Sequence, residues 1–237
     1  FDNFDTSSVT DMGSIFYNCH SLESIDLSSF ETPSLISAKF MFYGCSKLTS
    51  IDISHFNAQN IKDMDSIFNE CSSLKSMDFS NLNFKKLESL NSAFYGCSSL
   101  EYIGLKNVNA PSLTTTNYMF YGCSSLKYID FSEFKVQKIW NMFGTFYGCK
   151  SVTSINLSNF NAFTVERMDM LFSKCEKLKS INFNNFRTGY VYEMFSMFEG
   201  CSSLTSVDLS KFNTDYLEDM QYMFGGCTSL ISIDILH

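Results

Sequence analysis

The sequence is short of several things, and each shortage excludes something. Basic residues are outnumbered: 17 Lys and Arg stand against 25 Asp and Glu, which leaves a net charge of −8 and a pI near 4.8. A nucleic-acid binder needs a basic face to neutralise phosphates, and an anionic membrane surface asks for the same. This charge balance argues against both partners. No apolar run reaches the roughly 18 residues of a transmembrane helix, so no direct membrane insertion is expected. Three histidines, His20, His55 and His237, leave little material for imidazole chemistry. The chain has no Cys-x₂-Cys pair for zinc, no phosphate-binding loop, no dinucleotide fingerprint and no nucleophile–histidine–acid arrangement. The expectation is therefore no enzyme, no cofactor and no metal. Neither a basic n-region nor an apolar h-region follows Phe1, so any targeting segment is expected outside this chain. With only two prolines and no charge run, no internal linker is expected, and 1–237 reads as a single domain.

The chain does have enough apolar material for a core, 45% against 18% charged, and that material is periodic. Nine cysteines, Cys19, Cys45, Cys71, Cys97, Cys123, Cys149, Cys175, Cys201 and Cys227, are each separated by 26 residues. Three residues before each is a Phe, from Phe16 to Phe224. Three residues after each is Leu, or Val at Val152. Six residues after is aliphatic, from Ile25 to Ile233. A fixed period of this size marks a repeat array. In one repeat, Met12, Ile15 and Phe16 stand at i, i+3 and i+4, which predicts a helical or 3-10 face of at most two turns. Gly44, Gly96, Gly122, Gly148, Gly200 and Gly226 stand where a left-handed residue would end that helix. The period then becomes two: Ile25 and Leu27 point inward, while Ser24, Asp26 and Ser28 point outward, as in a half-buried strand. A strand and a short helix per repeat predict an α/β solenoid of nine 26-residue turns, with one parallel sheet and short helices or 3-10 segments opposite. A single repeat cannot bury its own face, so neighbours must stack. The aligned Phe positions then become spines running through the stack.

The motif Met119-Phe120-Tyr121-Gly122-Cys123-Ser124-Ser125-Leu126, with Val9-Thr10-Asp11-Met12 and Leu204-Thr205-Ser206-Val207-Asp208-Leu209-Ser210, resembles the BspA-type leucine-rich repeats of bacterial and protist surface proteins. It is most similar to the subgroup noted in mycoplasma lipoproteins. The resemblance covers the whole chain and implies a leucine-rich repeat solenoid. For function it implies a non-catalytic scaffold, extracellular or at the cell surface, of the kind described as an adhesin or surface antigen. Phe1 falls at the position of Leu27 and His237 just past another strand. Neither end has the polar, atypical repeat of a cap, so the chain reads as a segment of a longer array.

The repeat positions also predict chemistry. Identical cysteines stacked one strand apart, about 4.8 Å, point in parallel rather than at each other. They read as a buried, reduced column. The outward middle column, Asp26, Asp52, Asp78, Gly104, Asp130, Asn156, Asn182, Asp208 and Asp234, is either a solvated polar face or a stripe that attracts cations or basic partners. One place breaks it. Tyr102, Gly104 and Lys106, followed by Tyr128 and Asp130, replace small Ser and acidic Asp with larger groups, and Lys75, Glu101 and Lys127 rim the area. Two tyrosines beside a Gly with room for a ligand group form a candidate site for a protein or glycan partner. The same tyrosines also read as a cross-strand pair that only stabilises the sheet. A second group of aromatics, Trp140, Phe143, Phe163, Tyr190, Tyr192, Phe195, Tyr216 and Tyr222, clusters late in the chain. A contiguous patch of this kind marks a contact surface, and it carries the alternative of a spacer or filament subunit that self-associates through lateral contacts.

Overall fold

The computed structural model describes residues 4–235. The chain winds into a parallel solenoid with almost no helix. Among the described residues there are seven three-residue strands, β1 Ser76–Asp78, β2 Tyr102–Gly104, β3 Tyr128–Asp130, β4 Ser154–Asn156, β5 Ser180–Asn182, β6 Ser206–Asp208 and β7 Ser232–Asp234. Paired strands are offset by one 26-residue repeat, as in Tyr102 against Tyr128 and Ile155 against Ile181. Phe1 and His237, whose register suggested a longer array, lie outside the described residues.

The helical face is corrected. The residues that include Met12, Ile15 and Phe16 form a run of linked β-turns, and the one helical element among the described residues is the 3-10 turn Ala58–Asn60, elsewhere in its repeat. Within the run every second amide bonds three residues back: Met119 N donates to Thr116 O, Tyr121 N to Tyr118 O and Cys123 N to Phe120 O, each at 3.1 Å. The intervening amides cross to the next coil, Tyr118 N to Phe143 O, Phe120 N to Thr145 O and Gly122 N to Tyr147 O, each at 2.8 Å. The third residue of alternate turns is left-handed, as in a type II turn. Tyr118 stands at φ 57° and Gly122 at φ 72°. A tyrosine there is strained by roughly 1–2 kcal/mol; the inter-coil bond of its own amide helps hold it. Turns of this length return the chain to the same side every three or four residues, which is why the apolar spacing resembles a helix.

The single sheet is also corrected. The strands form three separate sheets, β1-β2-β3, β4-β5 and β6-β7, and the first two coils carry no strand among the described residues. The two interruptions coincide with crowded rings. Phe131 packs on Phe134 and Phe160 at 5.6 and 5.0 Å, and Phe183 on Phe186 and Phe212 at 5.3 and 5.1 Å. At the intact step after β1 the corresponding column holds the smaller Leu82 and Val108. Isolated bridges, by contrast, run unbroken in 26-residue steps from Asp11 to Asp219.

The core lies between the turn run and the strands. Phe16, Phe42, Phe68, Phe94, Phe120, Phe146, Phe172, Phe198 and Phe224 stack as one spine, with successive centroids 5.2 to 5.6 Å apart. Phe79, Phe131 and Phe183 on the strand side meet it edge-on. Seven cysteines are buried, Cys227 is half-buried and Cys19 exposed. From Cys45 onward each Sγ donates to the carbonyl of the spine Phe 29 residues earlier, at 3.0 to 3.3 Å. Cysteine suits the position because it is a small apolar side chain with one weak donor. Burial, chiefly, pushes the Cys45 thiol up to about 11 and that of Cys201 up to about 12, and it raises the thiols of Cys71, Cys97, Cys123, Cys149 and Cys175 well above the ordinary value.

Two outcomes follow. Phe120→Ala should cost about 3–5 kcal/mol, the usual loss for an emptied core Phe site. Tyr121→Ala, half-buried on the outside of the same turn, should cost less, and equal melting temperatures for the two variants would contradict this register. The thiols set the second outcome. Above an ordinary thiol value of 9.0 the unfolded chain loses protons that the folded chain keeps, so unfolding is favoured as pH rises through and beyond that value. The urea midpoint should fall between pH 8 and pH 10, and an unchanged midpoint would mean the thiols are not sequestered.

Candidate functional site

The strand face carries the acidic column and the Tyr102–Tyr128 pair. Its acidic column is built for local geometry: Oδ1 of Asp26, Asp52, Asp78, Asp130, Asn156, Asn182 and Asp208 accepts the amide two residues on, at 2.8 to 3.0 Å. These are Asx turns that bend the chain out of the strand. They need an oxygen acceptor and not a charge, which explains why Asn replaces Asp. At Asp26, Asp52, Asp130 and Asp208 the bonds also favour the ionised form: the Ser132 hydroxyl and amide hold Asp130 below the usual carboxylate range, with Lys106 adding to the effect.

Tyr102 on β2 and Tyr128 on β3 are register partners, and their rings stack at 6.0 Å and 16°. Tyr128 is 56% exposed and Tyr102 half-buried. The free space expected over Gly104 is already taken. A Cβ on this buried glycine would meet Asp78 Oδ1, and would stand 3.0 Å from the Tyr102 hydroxyl. Partial burial, followed by the Asp78 and Asp130 carboxylates, raises the Tyr102 pKa, so this hydroxyl stays protonated. Lys106 is exposed beside them, and Lys127 pairs with Glu101 at 2.7 Å. The arrangement offers a rigid aromatic pair with a polar, mixed-charge border. Among the described residues no cluster of His, Cys, Asp and Glu could hold a metal ion, and no helix is long and apolar enough to cross a membrane.

The late aromatics divide in two. Tyr190 and Tyr216 pack at 5.7 Å and share an open groove with Tyr192, while Phe163 meets Tyr190 edge-on at 5.6 Å. Trp140 is 41% exposed, one coil before Glu166 in the ladder that leads to Tyr192. Phe195 and Tyr222 form a different pair, T-shaped at 6.0 Å, that does not line this groove. Sequence reasoning missed a third feature, on the turn run. Tyr95, Tyr121 and Tyr147 stack at 4.6 and 4.4 Å, and Tyr118 packs edge-on to Tyr121 and Phe143. The signal was the Tyr before Gly-Cys in the repeat motif. It reads as outward-facing only once the segment is known to be turns.

The Asx turns can be tested directly. Asp208→Asn should melt with the wild type, because Asn156 and Asn182 already fill the role, whereas Asp208→Ala should melt lower. A loss as large for Asn as for Ala would give the column an electrostatic role instead.

The family described as "Mycoplasma protein of unknown function, DUF285" matches residues 1–107, 88–184 and 114–235, in agreement with the mycoplasma subgroup that the repeat resembles. No curated protein matches the chain. Among solved structures the chain is similar to a leucine-rich repeat protein of T. pallidum, with 22% identity over 86% of this chain and 75% of that one and a TM-score of 0.45. A leucine-rich cell surface protein from Faecalibacterium prausnitzii is 18% identical over 95% of this chain and 76% of its own, with a TM-score of 0.38. A leucine-rich repeat protein from Eubacterium ventriosum is 19% identical over 95% and 70%, with a TM-score of 0.40.

Proposed function

The chain belongs to the family of Mycoplasma proteins described as DUF285, and on that premise we propose that it is a non-catalytic interaction scaffold, secreted or held at the cell surface, which binds protein or glycan partners. Each of its nine 26-residue repeats supplies one turn of the scaffold. A solenoid repeats one framework, so recognition is carried where the repeat is broken. The observation behind this reading is the Tyr102–Tyr128 stack, centroids 6.0 Å apart, at the one step where Gly104 and Lys106 replace the usual Asp and Ser. Tyrosine gives a large, stiff contact area with a polar tip, a residue type enriched at the energetic centres of interfaces. The mixed charges of Lys106, Asp130, Lys127 and Glu101 around it suit a polar rim.

The experiment captures partners from extracellular-matrix proteins and arrayed glycans on the wild-type chain and on Tyr102→Ser/Tyr128→Ser side by side. The double variant restores the array's own residue at both positions, so its melting temperature should stay near wild type. Its complexes should weaken at least tenfold, or about 1.4 kcal/mol. Partners retained with unchanged affinity would remove the strand face as the binding site.

A further inference from the structure

A second site is built where the late aromatics meet unpaired acids. Glu166, Tyr192 and Glu218 occupy one column in successive coils, joined by Tyr192 N donating to Glu166 O at 3.0 Å and Glu218 N to Tyr192 O at 2.8 Å. The Tyr192 ring is therefore flanked by a carboxylate one coil to either side. Next to this ladder Tyr190 and Tyr216 also face each other one coil apart, tilted by 36°, with Asp215 adjoining. Phe163 braces Tyr190 from the preceding repeat. Glu166, Tyr190, Tyr192, Asp215, Tyr216 and Glu218 together line an open groove of about 540 Å³, with Phe163 behind Tyr190.

The acids of the groove differ from several acids of the neighbouring coils in lacking a base. Glu176, Glu193 and Glu199 each hold a base, namely Lys150, Arg167 and Lys174. Glu166, Asp215 and Glu218 form no ion pair among the described residues. Arg167, the base that acts on the Tyr192 hydroxyl, is already held by Asp169 at 3.1 Å and by Glu193. Three tyrosine rings and three carboxylates without a counter-charge make a receptor for a cation. The ring faces attract it through their quadrupoles, and the carboxylates accept its N–H bonds. A second copy of this chain carries the same net charge of −8 and complements the groove poorly.

We infer that this groove docks a lysine- or arginine-bearing segment of a partner protein, its cationic side chain lying between Tyr190, Tyr192 and Tyr216 and neutralised by Glu166, Asp215 and Glu218. The open shape suits a chain segment that enters and leaves, and the site is separate from the Tyr102–Tyr128 face.

The full chain is titrated by calorimetry with acetylated hexalysine, with hexaglutamate and with tetramethylammonium. Trp140, the single tryptophan, serves as an optical reporter one coil from Glu166. Hexalysine should bind, hexaglutamate should not, and tetramethylammonium should bind far more weakly. Glu166→Gln/Glu218→Gln and Tyr190→Ala/Tyr216→Ala should each weaken hexalysine at least tenfold. Tyr190 and Tyr216 are 50% and 56% exposed, so melting temperatures should change little. Asp26→Asn/Asp52→Asn removes the same charge while keeping both turn-forming acceptors, and should change affinity less than twofold. An equal loss in that variant would reduce the effect to the general acidic field and overturn the site. So would unchanged binding in the tyrosine variant, no hexalysine binding at all, or tetramethylammonium binding as tightly as the peptide. None of these results bears on Tyr102 and Tyr128, so the strand-face reading stands or falls separately.

Discussion

The structure depends on how the turn run distributes its amides. One set closes turns within a coil and the alternate set crosses to the next coil, as Tyr121 and Phe120 show side by side. Moving the chain by one residue would exchange the two sets. It would aim crossing amides at carbonyls already used in turns, and leave buried groups without partners, which is costly in a dry interior. The unbroken 26-residue period is the visible consequence. Insertions would also put the Phe, Cys and Leu columns out of line. The strand side imposes less: its sheets break after β3 and after β5, and the solenoid continues.

The interior follows from that register. Once coils repeat by translation, identical side chains must stack on themselves, and the side chains must tolerate this. Phenylalanine does so through offset, nearly parallel rings. Cysteine does so by passing a hydrogen bond along the array, each Sγ reaching the carbonyl of a Phe in the preceding coil. A charged group stacked inside in this way would repel its copies. On the outside, the same self-stacking is avoided or shared: the acids of the strand face spend one oxygen on their own Asx turns, and several exposed acids meet bases one coil away, as Glu101 meets Lys127.

Against such a uniform background the departures carry the information. Tyr102, Gly104 and Lys106 interrupt the strand face. Tyr190, Tyr192 and Tyr216 gather beside acids that form no ion pair among the described residues. The two places differ in what they offer. The first is a stacked aromatic pair over filled space. The second is a groove that a side chain can enter. The proposed strand-face site and the proposed groove lie in different coils, so a variant in one leaves the residues of the other in place.

The sequence alone determined the repeat, its length, the inward columns and the outward ones, because a translational stack turns every structural requirement into a visible period. It named the Phe spine and the buried cysteine column, which holds for seven cysteines but not for exposed Cys19 and half-buried Cys227 at its ends, and it located the break at Tyr102 and Tyr128. It misread the segment around Met12, Ile15 and Phe16, because linked turns and a helix return side chains to one face at the same spacing. Only the backbone dihedrals and inter-coil bonds distinguish them. Three matters were left to the tertiary structure: the sheet interruptions, the filling of the space over Gly104 by Asp78 and Tyr102, and the separation of Phe195 and Tyr222 from the Tyr190 groove. Each depends on how side chains from different coils share a volume. A one-dimensional period reports which residues lie above one another, but not which of them reach the same point in space.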